Sequence, residues 1–150
     1  MFREKHPMMM APIKACPVVV RQGDGIEILV FKHPLAGIQL VKGTIEAGES
    51  PREAAVRELM EEAGLAGASV VSDLGLWKVE LRDQVWSFHL CDVGHALPDE
   101  WVHYCADEGG HDFSFFWHPL DRPPSEEWHE VFQGALAFVR KVVLAGTSNP

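Results

Sequence analysis

Several features that mark common protein classes are scarce in this sequence. Its three cysteines, Cys16, Cys91 and Cys105, are widely spaced and form no C-x-x-C pair, so the sequence offers neither a disulfide framework nor a zinc knuckle. No apolar run approaches the roughly 18 residues of a membrane-spanning helix. Prolines also interrupt the N-terminal apolar residues, which excludes a signal peptide. The expected location is therefore the reducing cytoplasm.

Positive charge is also scarce. The chain carries 13 Lys and Arg against 22 Asp and Glu, giving a net charge of −9. Such a field repels the phosphate backbone of a nucleic-acid duplex and gives no attraction to an anionic membrane surface. A small anionic substrate is still compatible with this charge if divalent metal ions lie between the two.

At 150 residues the chain is predicted to form one domain with a hydrophobic core. Strands are predicted at Val18–Val20, at Ile26–Phe31, at Ile38–Val41, and in the runs "ASVVSDLGLWKVEL", "QVWSFHLCDV" and "FSFFWHPL". The polar segment "GHALPDEWVHYCADEGGHD" predicts a long loop or an irregular edge. This order of strands and two helices favours an α/β sandwich over a doubly wound parallel fold.

The last segment is predicted to be an amphipathic helix from Ser125 to Ala145. Its apolar residues recur at helical spacing: Trp128, Val131, Phe132, Ala135, Val139 and Val142. We expect this helix to pack on a sheet. The predicted organisation is a flexible N-terminal lead over residues 1–14, a domain over residues 15–146 and a C-terminal tail over residues 147–150.

The stretch "GTIEAGESPREAAVRELMEEAGL", Gly43 to Leu65, contains six glutamates and two arginines. Ser50 is a favourable N-cap, Pro51 suits the first helical position, and Glu53 completes an S-x-x-E capping box. Gly64 is a natural stop. These signals predict a helix from Pro51 to Ala63.

Two faces of this helix are predicted to differ. At about 100° per residue the apolar residues Val56, Leu59, Met60 and Ala63 share one side, and the carboxylates Glu58, Glu61 and Glu62 share the opposite side. Like charges at this spacing repel one another, and no lysine in the helix relieves them. A solvated surface is one interpretation. A site for a hard divalent cation such as Mg²⁺, which prefers oxygen ligands, is the other.

The spacing of the fixed residues in this stretch resembles the Nudix box. The matching positions are Gly43, Glu49, Arg57, Glu58, Leu59, Glu61, Glu62, Gly64 and Leu65. The strands before the box, the tryptophan-bearing strands after it and the closing helix resemble the Nudix α/β/α sandwich with a mixed sheet. The resemblance implies a Mg²⁺-dependent hydrolase, with Mn²⁺ as a possible substitute.

The resemblance also implies roles for individual residues. Glu58, Glu61 and Glu62 would bind the metal, together with the backbone carbonyl of Lys42. Glu58 is also a candidate to activate water, although family members differ in which carboxylate is the base. Arg57 and Glu49 would pair, since a guanidinium beside a carboxylate fixes its geometry and keeps it ionised.

Residues outside the box leave alternatives open. A further acidic ligand or base is expected from a later loop, where Asp99, Glu100, Asp107 and Glu108 are all candidates. Trp101 and Tyr104, in the same polar segment, are candidates to stack a nucleobase of the substrate. The three remaining strand tryptophans, Trp77, Trp86 and Trp117, are expected in the core.

The function implied is cleavage of the pyrophosphate bond in a nucleoside diphosphate linked to another moiety. The Lys42-Gly43 pair favours dinucleoside polyphosphates, because their hydrolases often begin the box with Lys-Gly. Two alternatives are a catalytically silent nucleotide-binding module and an isomerase of isoprenoid diphosphates, which would need Cys91 or Cys105 as a catalytic residue. A homodimer is possible.

Overall fold

The computed structural model describes residues 10–80 and 82–147. The described residues form nine strands: β1 (Lys14–Val18), β2 (Val20–Gln22), β3 (Ile26–His33), β4 (Gly37–Gln39), β5 (Gly43–Thr44), β6 (Ser69–Val79), β7 (Gln84–Asp92), β8 (Trp101–Cys105) and β9 (His111–Pro119). The two α-helices are α1 (Pro51–Ala63) and α2 (Glu130–Thr147). Neither helix is long and apolar enough to cross a membrane, within the described residues.

The strands form two sheets. One has the order β5-β1-β7-β6, and the other has the order β2-β3-β9-β8 with β4 added beside β3. The β1–β7 pairing is parallel and the other pairings between strands are antiparallel, so the first sheet is mixed. The predicted mixed α/β architecture with two helices is confirmed.

Two apolar cores lie on opposite sides of the strands. Along β3, Ile28 and Val30 pack in the core that includes α2, whereas Leu29 and Phe31 pack in the core that includes Leu59 of α1. Successive side chains of a strand point to opposite faces, so a strand covered on both sides is apolar at every position. The run "ILVF" in β3 satisfies this requirement.

The chain passes between the two sheets at Val19. The sequence predicted one strand over Val18–Val20, but β1 ends at Val18 in one sheet and β2 begins at Val20 in the other. The side chain of Val19 is 5% exposed and packs beside Leu29 in the core that contains α1. A continuous apolar run does not reveal such a crossing, because Val18, Val19 and Val20 are all apolar on either side of it.

Other predicted boundaries shift in the structure. The predicted strand Ile38–Val41 is shorter and lies at β4, and the predicted loop after β7 contains the edge strand β8. The C-terminal helix begins at Glu130 rather than Ser125. Trp128, expected within it, precedes the helix and makes a backbone bridge to Ile38. Its buried ring packs edge-on against His118, which explains its apolar character without a helical position.

The predicted domain boundaries lie partly outside the described residues. Residues 1–9 of the expected lead and residues 148–150 of the expected tail are among those not described. Within the described part, β1 starts at Lys14 and α2 ends at Thr147. Ile13 also joins the sheet through backbone bonds to Val85 and Ile45. These residues belong to the folded domain, one to two positions beyond the predicted bounds.

The predicted faces of α1 are wrong in part. Ala54, Ala55, Glu58, Leu59 and Ala63 are its buried residues, whereas Met60 is 51% exposed. Glu58 therefore lies on the packed side of the helix instead of opposite it. The helical wheel assumed one apolar and one wet face, whereas α1 contacts strands of both sheets.

The orientation of α1 makes neighbouring substitutions differ. Leu59→Ala removes a fully buried side chain and is expected to lower the free energy of unfolding by about 2–5 kcal/mol. Met60→Ala is the matched control and is expected to change it by about 0.5 kcal/mol or less. Urea denaturation of both variants measures the difference. Equal losses would contradict the orientation of the helix described here.

Candidate active site

Helix α1 is fixed at both ends by its own sequence. The Ser50 Oγ accepts a hydrogen bond from the Glu53 backbone N–H at 3.1 Å, and Glu53 Oε1 accepts one from the Ser50 backbone N–H at 2.8 Å. Gly64 follows the helix in the left-handed conformation, with φ of 74°. The predicted capping box and stop are both present, and the predicted helix bounds are confirmed.

Arg57 is the centre of a charge network on α1. Its Nε and Nη2 donate to the two carboxylate oxygens of Glu49 at 2.7 and 3.0 Å, and Nη2 also donates to the carbonyl of Thr44 at 2.8 Å. Its Nη1 donates to Glu58 Oε2 at 2.9 Å and to Glu61 Oε1 at 3.0 Å. One guanidinium thus holds three carboxylates and the loop that precedes the helix.

The hydrogen bonds of Arg57 shift the pKa values of the groups that they join. The hydrogen bonds from Arg57 lower the pKa of Glu49 to about 2, with help from the Glu46 backbone N–H. The same bonds raise the pKa of Arg57. The sequence left Glu46 without a role. In the structure its N–H and C=O both bond to Glu49, and its carboxylate lies 3.8 Å from Arg57.

Glu58 is the buried carboxylate of the site. Its side chain is 6% exposed, and Oε1 is buried and has no hydrogen-bond partner among the described residues. Burial, together with the charges of Glu61 and Asp107, raises its pKa to about 7, although Arg57 acts in the opposite direction. A Cβ at Gly43 would collide with this carboxylate. The box glycine is therefore required by the position of Glu58.

Glu62 lies beside Glu58 and faces the start of β5. Its Oε1 accepts a hydrogen bond from the Lys42 backbone N–H at 3.4 Å. Burial and the negative charge of Glu58 raise its pKa to about 8. Two neighbouring carboxylates that resist ionisation form a site that gains from a nearby cation.

A cavity of about 800 Å³ opens over these carboxylates. Its walls include Lys14, Lys42, Gly43, Thr44, Glu46, Arg57, Glu58, Met60, Glu61, Glu62, His103, Tyr104, Cys105, Ala106, Asp107, His111 and Phe113. The volume is within the range of small-molecule sites. The walls are mostly polar and contain both acidic and basic groups, which suits a charged ligand.

Of the candidate acids from the later segment, some line the cavity and others do not. Asp107 lines the cavity, in a 3₁₀ turn that spans Asp107–Gly109, and its charge raises the pKa of both Glu58 and Glu62. Asp99 instead pairs with Arg21 at 2.8 Å and does not line the cavity, and neither does Glu100. The side chain of Glu108 is not among those described.

The two candidate stacking residues also separate. Tyr104 lines the cavity and is 60% exposed. Trp101 does not line it: the indole stacks on Phe115 with ring centroids 5.1 Å apart, and Nε1 donates to the carbonyl of Ala63 at 3.0 Å. The sequence placed both in a loop, whereas both belong to β8.

Strand β8 supports α1 through contacts that the sequence analysis missed. The carbonyls at the end of a helix have no partner within it. Trp101 Nε1 donates a hydrogen bond to the carbonyl of Ala63, and His103 Nε2 lies 3.1 Å from the carbonyl of Glu61. No local signal identifies these pairs, because the partners are 38 and 42 residues apart.

The carboxylates are not arranged as a completed metal centre. Within the described residues, no group of three or more His, Cys, Asp or Glu side chains converges on a common point. Arg57 and the Lys42 N–H hold the carboxylates instead. The chemistry of the donors still fits a hard divalent cation, because Glu58 Oε1 has no partner and oxygen ligands are those that Mg²⁺ prefers.

Comparison with known families agrees with the fold and the site. Residues 12–136 match the NUDIX domain. The chain belongs to the Nudix family. Two curated relatives match parts of it: an octanoyltransferase from Myxococcus xanthus, 36% identical over 96 residues, and Nudix hydrolase 25 from Arabidopsis thaliana, 49% identical over 39 residues. The matches cover 61% and 26% of this chain but only 23% and 22% of those proteins.

Solved structures show the same fold at low sequence identity. An ADP-ribose pyrophosphatase from Streptococcus suis aligns with a TM-score of 0.65 and 18% identity, covering 93% of this chain and 96% of that one. A UDP-X diphosphatase aligns with a TM-score of 0.65 and 15% identity, covering 91% of this chain and 65% of that one. A Bacillus subtilis pyrophosphohydrolase aligns with a TM-score of 0.62 and 20% identity, covering 97% and 88%.

The raised pKa of Glu62 predicts how stability depends on pH. The folded protein holds this carboxyl proton up to about pH 8, whereas the unfolded chain releases it near 4.5. Stability therefore falls as pH rises between these values. Without divalent cations, Glu62→Gln is expected to raise the free energy of unfolding at pH 8.5 by on the order of 2 kcal/mol, and to have little effect at pH 5.

Thermal or urea unfolding at the two pH values measures this difference. Glu80→Gln is the matched control. Glu80 is exposed, and this substitution removes one negative charge from the surface. A stability gain from Glu62→Gln that does not change with pH would contradict the buried, protonated carboxyl.

Proposed function

We propose that this protein is a divalent-cation-dependent hydrolase that cleaves the pyrophosphate bond of a nucleoside diphosphate linked to another group. Mg²⁺ is the proposed cation, with Mn²⁺ as a substitute. The observation that carries the proposal is the buried, partnerless Oε1 of Glu58, beside Glu62, in a polar cavity of about 800 Å³. A buried carboxylate oxygen without a hydrogen bond is costly unless a cation or proton meets it.

In this proposal Glu58, Glu61 and Glu62 hold the cation, with the backbone carbonyl of Lys42. A bound Mg²⁺ supplies positive charge that neutralises the diphosphate and acidifies the attacking water. Asp107 is the proposed additional acid, because it is the loop candidate whose described side chain lines the cavity. The proton acceptor belongs to this set of carboxylates.

Arg57 and Glu49 act as positioning residues. The bidentate pair fixes the guanidinium, and the guanidinium fixes Glu58 and Glu61 through Nη1. Charge-assisted bonds of this kind are strong and directional. We propose that they hold the carboxylates in place before the cation and substrate arrive, which reduces the reorganisation that binding requires.

The phosphates and base of the substrate have candidate partners on the cavity walls. Lys14 and Lys42 line the cavity and carry the charge that a diphosphate needs. Tyr104 is the proposed stacking surface for a nucleobase, and Trp101 is assigned to supporting α1 instead. Solved relatives of the same fold include an ADP-ribose pyrophosphatase and a UDP-X diphosphatase. Dinucleoside polyphosphates, suggested by Lys42-Gly43, belong to the same chemical class.

The two alternatives have less support. An isomerase would need a reactive cysteine, but Cys91 and Cys105 are 5% and 3% exposed, and burial raises the pKa of both thiols. A silent binding module has no need for the partnerless carboxylate of Glu58. The homodimer and the cytoplasmic location stay predictions.

Metal-dependent turnover tests the proposed function. We expect release of nucleoside monophosphate from ADP-ribose, a UDP-sugar or diadenosine polyphosphate only when Mg²⁺ or Mn²⁺ is present. Glu58→Gln is expected to lower kcat by roughly 100-fold or more, because it removes a charged ligand or base. Glu80→Gln, on the exposed surface, is the charge-matched control and should retain wild-type kcat. Asp107→Asn, compared at several pH values, tests whether Asp107 accepts a proton.

The alternatives make different predictions in the same assay. Cation binding measured by calorimetry without turnover of any diphosphate would favour the silent module. Wild-type turnover in both Glu58→Gln and Glu62→Gln would exclude the proposed metal site.

The stacking role of Tyr104 has its own test. Tyr104→Ala is expected to raise KM for the best nucleotide substrate by about 5- to 100-fold, since base–aromatic stacking contributes about 1–3 kcal/mol. Val102→Ala is the matched control, because Val102 is also exposed on β8 but does not line the cavity. An unchanged KM in Tyr104→Ala would place the base elsewhere.

A further inference from the structure

Three hydrogen-bonded side chains form a serine–histidine–aspartate array away from the carboxylate cavity. Ser87 and His89 are two residues apart on β7, so their side chains share one face of the sheet, and Asp73 lies on the neighbouring strand β6. Ser87 Oγ is 2.6 Å from His89 Nε2, and His89 Nδ1 is 2.7 Å from Asp73 Oδ1. Serine on Nε2 and carboxylate on Nδ1 is the arrangement that activates a serine nucleophile.

The hydrogen-bond partners of His89 determine which of its ring nitrogens carries the proton. Arg52 donates from Nε and Nη2 to the two oxygens of Asp73 at 3.0 and 3.1 Å, and this pairing lowers the pKa of Asp73. The ionised carboxylate only accepts hydrogen bonds, so His89 Nδ1 carries the proton. In the neutral ring Nε2 is then an acceptor, and the Ser87 hydroxyl donates to it.

The array borders a cavity, although Ser87 and His89 are themselves only 4% and 3% exposed. A space of about 460 Å³ is lined by Ser87, His89 and Asp73 on the sheet, with apolar walls from Pro12, Pro51 and Leu76. In the part of the chain that the structure describes, this space shares no lining residue with the carboxylate cavity. The volume and apolar walls suit a small acyl group.

The beginning of α1 borders the same space. Arg52 also lines this cavity. Pro51 has no N–H, and the N–H groups of Glu53 and Ala54 bond to Ser50. The N–H of Arg52 has no acceptor within the helix, and it lies at the positive end of the helix dipole. The positive end of the helix dipole therefore favours negative charge at this end of the cavity.

We propose that Ser87, His89 and Asp73 form a second reactive site, which accepts an acyl group from small activated carboxylic esters. Ser87 Oγ forms a bond to the ester carbonyl carbon while its proton moves to His89 Nε2. The proton passes to the departing alkoxide, which leaves as the alcohol and gives acyl-Ser87. Water then attacks the acyl group with His89 as base, releasing the carboxylic acid and restoring Ser87. Asp73 is a positioning residue that holds the Nδ1–H tautomer.

An alkyl fluorophosphonate and p-nitrophenyl acetate test this site on the full chain. We expect one fluorophosphonate label per chain, with loss of fluoride, and peptide mass spectrometry should place it on Ser87. Ser87→Ala is expected to abolish the label and to lower enzyme-dependent p-nitrophenol release by about 100-fold or more. Ser114→Ala, an exposed serine on β9, is the matched control and should keep both.

Two further measurements keep the test independent of folding and of diphosphate hydrolysis. Ser87→Ala should melt cooperatively and retain the metal-dependent hydrolysis of the wild type, because Ser87 does not line the carboxylate cavity. In Asp73→Asn, nitrogen NMR should show loss of the Nδ1–H tautomer of His89, with slower labelling. Wild-type protein that takes no label, or a label that persists in Ser87→Ala, would overturn the proposal.

Discussion

The guanidinium of Arg57 offsets the repulsion among the carboxylates on and beside α1. Arg57 donates to Glu49, Glu58, Glu61 and the carbonyl of Thr44, so the loop before the helix, the buried carboxylate and the exposed carboxylate share a single counter-charge. Removing that charge would leave neighbouring carboxylates in repulsion, one of them buried. The positions of the carboxylates in the candidate active site therefore depend on Arg57, which Glu49 holds through two hydrogen bonds.

The position of Glu58 explains why the first residue of the box, Gly43, is a glycine. A carboxylate that is both buried and reachable from a cavity requires a gap in the packing, and Gly43 supplies it because a Cβ there would occupy the carboxylate's place. One oxygen of Glu58 is satisfied by Arg57 and the other has no partner. A buried carboxylate with only one of its two oxygens hydrogen-bonded destabilises the fold. A cation that contacts the other oxygen would offset this destabilisation.

Local parts of this site could be read from the sequence, and distant parts could not. The capping box and the helix from Pro51 to Ala63 depend on residues close in the chain, so their spacing was sufficient. The pairing of Arg57 with Glu49 was expected from the resemblance to the Nudix box, and it is present in the structure. The face of Glu58 was predicted wrongly, because a helical wheel cannot show that two sheets flank the helix. Trp101 was a candidate to stack on a nucleobase, because a half-exposed edge strand in a polar segment resembles a loop.

Helix α1 is held at its start, in its middle and at its end, and each contact uses a different partner. At its start Arg52 pairs with Asp73 on β6, in its middle Arg57 pairs with Glu49, and at its end Trp101 donates to the carbonyl of Ala63. Because a helix anchored at both ends and in its middle cannot easily tilt or slide, the carboxylates cannot relieve their repulsion by moving apart. The electrostatic cost is retained in the fold, and it is reduced either by protonation of Glu58 and Glu62, whose pKa values are raised, or by a cation that enters the cavity.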